Sequence, residues 1–284
     1  MSRNKERLGA QQPDTSAPPQ LTQNDNSGGF SFVVPTEFVE LPSRGKFYPP
    51  NHPLHNQDVI EIKHMTAKEE DLLTSQSLLK KGVVLDRLLQ SVITNKAIRG
   101  EHLLVGDRNA ILIAARISGY GQDYKTKVTC PACGTAQDYS FDLSDVGVYN
   151  GFGFSPEEAT YNDDGTFTTI LPRTKIEVAF RLLAGSDERN LVSQVQNSRK
   201  AKKDENNVTR QLKMFVVSVN GDTSQAAINY VVDNMPSADA RHLRYVYKIA
   251  NPNIDMIQHF ECNSCEHEQE LEVPLTVDFF WPDL

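Results

Sequence analysis

The sequence contains two distant cysteine motifs, Cys130-Pro131-Ala132-Cys133-Gly134 and Cys262-Asn263-Ser264-Cys265-Glu266, which hold all four of its cysteines. Two residues between the cysteines of each pair allow a tight turn to point both sulfurs at one metal ion. Two such turns facing each other complete a tetrahedral site with four sulfur ligands and no open position for water or substrate. The motifs therefore predict a structural Zn²⁺ site formed by these four cysteines.

Two other uses of paired cysteines remain open, a disulfide framework and a redox-active C-x-x-C pair. Disulfide frameworks are typical of small secreted domains, whereas this chain has 284 residues and no signal-peptide pattern follows its polar start, residues 1–5. A redox motif is expected once, where a strand enters a helix, but both pairs here lie between strand-like segments. Zinc is the preferred interpretation, and disulfides or free thiols are its alternatives.

Strand-like alternation of apolar and polar residues flanks both motifs. Such segments surround the first motif at 124–129 and 136–143, and the second at 256–261 and 268–273. Each motif is therefore predicted at the tip of a β-hairpin, a usual mounting of ribbon-type zinc sites. Because the two pairs are so far apart, the metal is expected to clamp the ends of an intervening insertion.

The second motif departs from the first at one position. Glu266 stands where Gly134 follows the first pair, and glycine relieves crowding behind the second sulfur. This departure weakens the match between the two turns. The neighbouring His267 has a side chain able to replace a cysteine as a ligand, but it is interpreted as an exposed residue of the hairpin.

Composition places the chain among globular proteins, with 39% hydrophobic and 23% charged residues. No apolar run approaches the roughly 20 residues that a membrane span requires, so no membrane partner is expected. The net charge of -8 argues against extended binding to a phosphate backbone. The basic run at 199–203 is interpreted as a solvated helix end, with a nucleic-acid-binding patch of a zinc-ribbon module as its alternative.

The predicted fold class is α+β, with a helical layer and small β-hairpins joined by a zinc-ribbon-like four-cysteine site. Polar and Pro/Gly-rich composition predicts that residues 1–29 are a disordered arm. The predicted modules are an α+β module at 30–145, an inserted hairpin and helical module at 146–255, and the second cysteine turn with an aromatic tail at 256–284.

Local patterns predict the elements of these modules. Residues 59–63 alternate as a strand, Thr66 and Glu69 form a capping box that opens a helix, and Asp107 is the expected N-cap of a later helix. Between the cysteine motifs, the predicted strands are 166–171 and 175–182, and the predicted helices are 187–198, 208–219, 224–235 and 237–250.

Catalytic signatures are absent from the sequence. It contains no G-x-S-x-G elbow, no G-x-x-x-x-G-K-[ST] loop, no H-E-x-x-H and no G-x-G-x-x-G after a strand. A metalloenzyme would also require an open position on the metal, which four cysteines do not leave. The sequence therefore predicts a protein without enzymatic activity or a small-molecule substrate.

The aromatic residues Phe279, Phe280 and Trp281 lie close to the end of the chain. Chain ends are usually frayed and polar, so these side chains are expected either in the core of this protein or in the pocket of a partner. Partner binding by Phe279, Phe280 and Trp281 is therefore one of two predictions for this segment.

Several motifs occur in a characteristic order. They are Leu41-Pro42-Ser43-Arg44-Gly45-Lys46-Phe47-Tyr48, Met65-Thr66-Ala67-Lys68-Glu69-Glu70-Asp71-Leu72-Leu73, Gly106-Asp107-Arg108-Asn109-Ala110 with Gly119-Tyr120-Gly121, the two cysteine motifs, and Phe279-Phe280-Trp281-Pro282. In this order they resemble the baseplate hub proteins of T-even-like contractile-tailed bacteriophages, from about residue 38 to the end.

This resemblance implies a structural subunit of the tail baseplate or a factor that assembles its hub, without enzymatic activity. The implied partners are other baseplate and tail subunits. The implied location is the tail baseplate of the virion, with assembly in the host cytoplasm.

Overall fold

The computed structural model describes residues 21–23, 30–200, 207–273 and 277–280. The chain forms two compact units, Met1–Thr36 and Glu37–Leu284. In the smaller unit, β1 (Leu21–Gln23) pairs antiparallel with β2 (Phe30–Phe32). The rest of the predicted disordered arm lies outside the described residues, so the arm stays a prediction.

The larger unit starts with a two-stranded sheet and a layer of helices. Its first elements are β3 (Thr36–Glu40), β4 (Val59–Lys63), α1 (Ala67–Thr74), α2 (Gln76–Lys81), α3 (Val84–Val92), a 3-10 helix (Gly100–His102) and α4 (Val105–Tyr120). The predicted strand and the predicted capping box of Thr66 and Glu69 are both confirmed. Buried leucines, valines and isoleucines of α1, α3 and α4 form the helical side of the core.

The role predicted for Asp107 is wrong, because this residue does not cap helix α4. The helix begins at Val105, so Asp107 lies in its first turn, where it is fully buried. Its carboxylate accepts hydrogen bonds from the Ser43 amide at 2.9 Å, the Ser43 hydroxyl at 2.6 Å and the Tyr48 hydroxyl at 2.8 Å. Burial raises the pKa of Asp107 despite these donors. The buried carboxylate thus anchors the loop of residues 41–48 to the helix.

Small sheets and further helices complete the larger unit. They are β5 (Asp123–Thr129), β6 (Ala136–Asp142), β7 (Gly147–Tyr149), β8 (Thr160–Tyr161), β9 (Thr166–Ile170), β10 (Glu177–Arg181), α5 (Gly185–Lys200), α6 (Asn207–Phe215), β11 (Val216–Val219), α7 (Gln225–Asn234), α8 (Ser237–Ala250), β12 (Asn253–Asp255), β13 (Ile257–Glu261), β14 (Glu268–Glu272) and a 3-10 helix (Val277–Phe280). Helix α8 is present with the predicted ends, and the predicted hairpin of β9 and β10 and the helices α5 and α7 are present with shifted ends.

Strand pairing explains one wrong prediction. Residues 216–219 were expected to continue a helix, but they form β11 and pair antiparallel with β10. The four-stranded sheet therefore has the order β11-β10-β9-β8. Val216 and Val219 are buried there, and β-branched side chains of this kind favour a half-buried strand.

Helix α4 is packed closely against β12. A side chain at Gly106 would place its Cβ atom 2.0 Å from the carbonyl oxygen of Pro252, so only glycine allows this approach. Strand β12 also pairs antiparallel with β7. The coarse prediction of a mixed fold with helices and small sheets is confirmed, while the module boundaries within residues 37–284 stay predictions.

Candidate metal centre

The first cysteine motif forms a tight turn at the tip of the β5–β6 hairpin, as predicted. Residues Thr129 and Ala136 are the last paired positions of the two strands. The Gly134 amide donates to the Cys130 carbonyl at 2.9 Å, and the Cys130 amide donates to the Thr135 carbonyl at 2.9 Å. Gly134 has a positive φ of 72°. This local hydrogen bonding turns the two sulfurs of the motif toward the same side.

The second motif repeats this turn at the tip of the β13–β14 hairpin. The Glu266 amide donates to the Cys262 carbonyl at 2.9 Å, and the Cys262 amide donates to the His267 carbonyl at 3.0 Å. Glu266 has a φ of 55°, in the left-handed region that Gly134 occupies in the first turn. Glutamate therefore occupies a strained left-handed backbone in the second turn, which has the same hydrogen bonds as the first turn.

The two turns bring all four cysteine sulfurs within 4.8 Å of one another. Cys130 Sγ lies 3.8 Å from Cys265 Sγ, and Cys133 Sγ lies 3.7 Å from Cys262 Sγ. Four sulfurs at about 2.3 Å from a tetrahedral Zn²⁺ would be about 3.8 Å apart. A disulfide requires about 2.05 Å, and the four cysteines are free thiols. The sulfurs thus have the spacing that a four-sulfur zinc site needs.

Half of the cysteine cluster is buried and half faces solvent. Cys130 and Cys262 are fully buried, whereas Cys133 and Cys265 are exposed. The Thr135 hydroxyl lies 3.3 Å from Cys133 Sγ and, with the Thr135 amide, lowers the pKa of Cys133 to about 6. Hydrogen bonding to the His267 backbone lowers the pKa of Cys265, but the neighbouring thiols and desolvation outweigh it and raise this pKa to about 12. Of the two exposed thiols, Cys133 therefore ionises more readily than Cys265.

His267 does not join the sulfurs. Its ring nitrogen Nε2 lies 3.2 Å from Gln269 Oε1, and the side chain is half-buried. Within the described part of the chain, the four cysteines are the only group of three or more His, Cys, Asp or Glu residues close enough to share a metal ion.

Two glutamines connect the hairpins through hydrogen bonds that sequence reasoning missed. Gln137 on β6 donates to the Glu261 carbonyl at 3.0 Å and accepts from the Asn263 amide at 2.9 Å. Gln258 on β13 donates to the Asp142 carbonyl at 2.6 Å and accepts from the Asp142 amide at 3.2 Å. Each glutamine side chain therefore donates to a backbone carbonyl and accepts from a backbone amide of the opposite hairpin, as a neighbouring strand would. No local signal marks these residues, because their partners lie more than a hundred positions away.

An aromatic contact also connects the β5–β6 hairpin to the β13–β14 hairpin; this connection is called the hairpin joint below. Tyr139 on β6 packs against Phe260 on β13 with ring centroids 5.1 Å apart, and its hydroxyl donates to the His259 carbonyl at 3.0 Å. The hairpins are thus docked by side chains as well as by the approach of the sulfurs.

The aromatic residues near the chain end lie beside helix α4. Phe279 and Phe280 are buried, and the Phe279 ring contacts Tyr124 edge to face at 5.1 Å. Buried Arg116 on α4 donates to the Phe279 carbonyl at 2.7 Å. These contacts favour the core alternative for Phe279 and Phe280. Trp281 lies outside the described residues, and partner binding by this segment stays a prediction.

The basic run at 199–203 begins at the end of α5, and residues 201–203 lie outside the described part of the chain, so its interpretation stays a prediction. In the ranges that the structure describes, no helix combines the length and apolar character needed to cross a membrane.

Fold and site together define a mixed helix-and-hairpin protein whose cysteine turns form a closed cluster with zinc-site spacing. A family model described as T4 bacteriophage base plate protein matches residues 34–281. The match covers most of the chain, so the protein belongs to this family and is a structural component of a phage tail baseplate. Searches of curated proteins and of solved structures found no match.

Proposed function

We propose that this chain is a zinc-stabilised structural subunit, or an assembly factor, of the hub region of the baseplate, without enzymatic activity. The convergence of four sulfurs from two distant hairpins carries the zinc part of this proposal. Zn²⁺ bound by Cys130, Cys133, Cys262 and Cys265 would act as a cross-link between the hairpins. Four sulfur ligands leave no position for a substrate, which supports a structural role.

The hub assignment rests on the order of motifs along the chain together with the family match. The fold gives physical reasons for two of these motifs. The loop of residues 41–48 is held by buried Asp107, and Gly106 permits the close contact of α4 with β12. Both motifs therefore serve the internal architecture. We expect the partners to be other baseplate and tail subunits.

The zinc proposal is tested on purified protein by elemental analysis and X-ray absorption at the zinc edge. We expect one zinc per chain, surrounded by four sulfurs at about 2.3 Å. A first shell containing nitrogen or oxygen would contradict the closed site, and protein with four reduced thiols and no affinity for zinc would contradict metal binding altogether.

The hub proposal requires a separate measurement on assembled particles. Density for this chain at the centre of the baseplate, in electron cryomicroscopy of virions or of baseplate assembly intermediates, is the expected result. Location only at the baseplate periphery would contradict the hub assignment while leaving the zinc site intact. A hydrolytic or transfer activity that disappears in the Cys262→Ser variant would contradict the non-enzymatic role.

A further inference from the structure

One face of helix α8 carries a stripe of cations with an exposed tyrosine. Arg241, Arg244, Tyr245 and Lys248 are all exposed and recur at spacings of three and four residues, which places them on one side of the helix. Tyr245 has 51% of its surface exposed. Among the described residues, no carboxylate oxygen lies within 4.0 Å of these three cations, although the chain as a whole has a net charge of -8.

The outer face of the β13–β14 hairpin has the opposite character. The strand register places Glu261 opposite Glu268, His259 opposite Glu270 and Ile257 opposite Glu272. All six side chains are exposed, and the four glutamates have no ion-pair partner within the part of the chain that the structure describes. Like charges directly opposite each other destabilise a strand pair, so a cationic partner would relieve the repulsion between Glu261 and Glu268.

The two faces have opposite charge and similar length. The cations of α8 extend over about 10 Å, because seven residues separate Arg241 from Lys248 along a helix. The carboxylates of β14 extend over about 14 Å from Glu268 to Glu272. Long flexible side chains can bridge this difference, and the exposed Tyr245 and Ile257 supply an apolar contact on each side.

We infer that the α8 stripe of one copy binds the acidic hairpin face of a second copy. The two surfaces belong to different elements of the chain, so the contact either occurs twice in a two-fold symmetric dimer or is head to tail, in which case repetition generates a closed ring or an open filament. This inference does not depend on the hub assignment. It requires a folded β13–β14 hairpin, and thermal melting followed by circular dichroism checks folding whether or not the protein binds zinc.

The test measures self-association of the full chain by analytical ultracentrifugation. We expect association at about 50 mM salt that weakens at about 0.5 M salt, because exposed charges are screened. The variants R241E/R244E/K248E and E268K/E270K/E272K should each raise the apparent dissociation constant at least about tenfold. The variant that carries all six substitutions should associate again, because its two faces have exchanged charge.

A matched control reverses three exposed cations on helices α1 to α3, in K68E/K81E/R87E, and should leave association unchanged. Circular dichroism and zinc analysis of every variant separate a lost interface from a lost fold or metal site. Protein that stays monomeric at low salt up to about 100 µM overturns the inference. So does association that only one of the two triple variants weakens, or that the sixfold variant fails to restore.

Discussion

Helix α4 and the paired cysteine hairpins both join distant parts of the chain, but they use different interactions. Around α4, the buried Asp107 and Arg116 hold the loop of residues 41–48 and the 3-10 helix at Val277–Phe280 inside an apolar core. Between the hairpins, two of the four sulfurs face solvent and the contacts of Gln137 are exposed.

This difference indicates two sources of stability. The α4 region removes apolar surface from water, and its polar anchors are satisfied by hydrogen bonds. Part of the contact between the hairpins is exposed, so hydrogen bonds and, in the zinc-bound form that we propose, a metal cross-link would supply stability that burial does not. We therefore expect the hairpin joint to respond to metal and the α4 region to be insensitive to it.

The largest effect is expected from Cys262→Ser, which removes a buried thiol of the proposed zinc site from the contact between the hairpins. The variant should lose its metal and more than about 4 kcal/mol of the free energy of unfolding, measured by urea denaturation with zinc analysis. Ser264→Ala in the same turn is the matched control and should retain the metal. Equal stability of Cys262→Ser and wild type would mean that the metal is not structural.

A somewhat smaller loss is expected from Asp107→Ala in the α4 region. Three buried donors from Ser43 and Tyr48 would lose their acceptor, which costs about 3 kcal/mol. Asp107→Asn keeps one accepting oxygen and should lose about half as much. Both variants should bind zinc normally, and loss of zinc from Asp107→Ala would show that the two regions are not independent.

Gln258→Ala probes the hairpin joint without touching a sulfur. It removes the paired hydrogen bonds with Asp142 and should lower the free energy of unfolding by about 1 to 2 kcal/mol. This loss in the free energy of unfolding should be larger when a chelator removes the metal, because the hydrogen bonds then contribute more of the stability of the contact between the hairpins. Gln269→Ala, on the other strand of the same hairpin, is the control, and an equal loss there would contradict a docking role for Gln258.

The smallest effect, and the only gain, is expected from Glu266→Gly. The left-handed backbone at this position is strained for glutamate and free of strain for glycine. Thermal melting should show stabilisation of up to about 1 kcal/mol. In the first turn, Gly134→Ala should destabilise by a similar amount, because it places a side chain on the same left-handed backbone. Destabilisation by Glu266→Gly, or stabilisation by Gly134→Ala, would mean that the two turns are not equivalent.

Local signals in the sequence predicted many of the structural elements in these two regions. Alternation and C-x-x-C spacing act within about ten residues, so both hairpins and the grouping of the cysteines followed from the sequence. The capping box of Thr66 and Glu69 was predicted for the same reason, since all of its atoms lie within one helical turn.

Long-range contacts decided the features that were missed. Aspartate is a residue type typical of helix N-caps, but the carboxylate of Asp107 accepts hydrogen bonds from Ser43, which lies 64 positions earlier. Residues 216–219 form a largely apolar run that is compatible with either a helix or a strand. Pairing with β10 stabilises the strand. In both cases a distant partner outweighed local propensity.

The pairing of β7 with β12 has a consequence for how this fold can change. Gly147 lies opposite Asp255 and Tyr149 opposite Asn253, so the chain departs and returns at neighbouring positions about 5 Å apart. Residues 150–252 also pack into the core through Phe167 and Phe180, and Arg189 pairs with Asp86 of helix α3, so the segment as a whole is not interchangeable. Because its two ends are fixed side by side, insertions in its exposed loops during evolution would leave the distance between the cysteine hairpins unchanged.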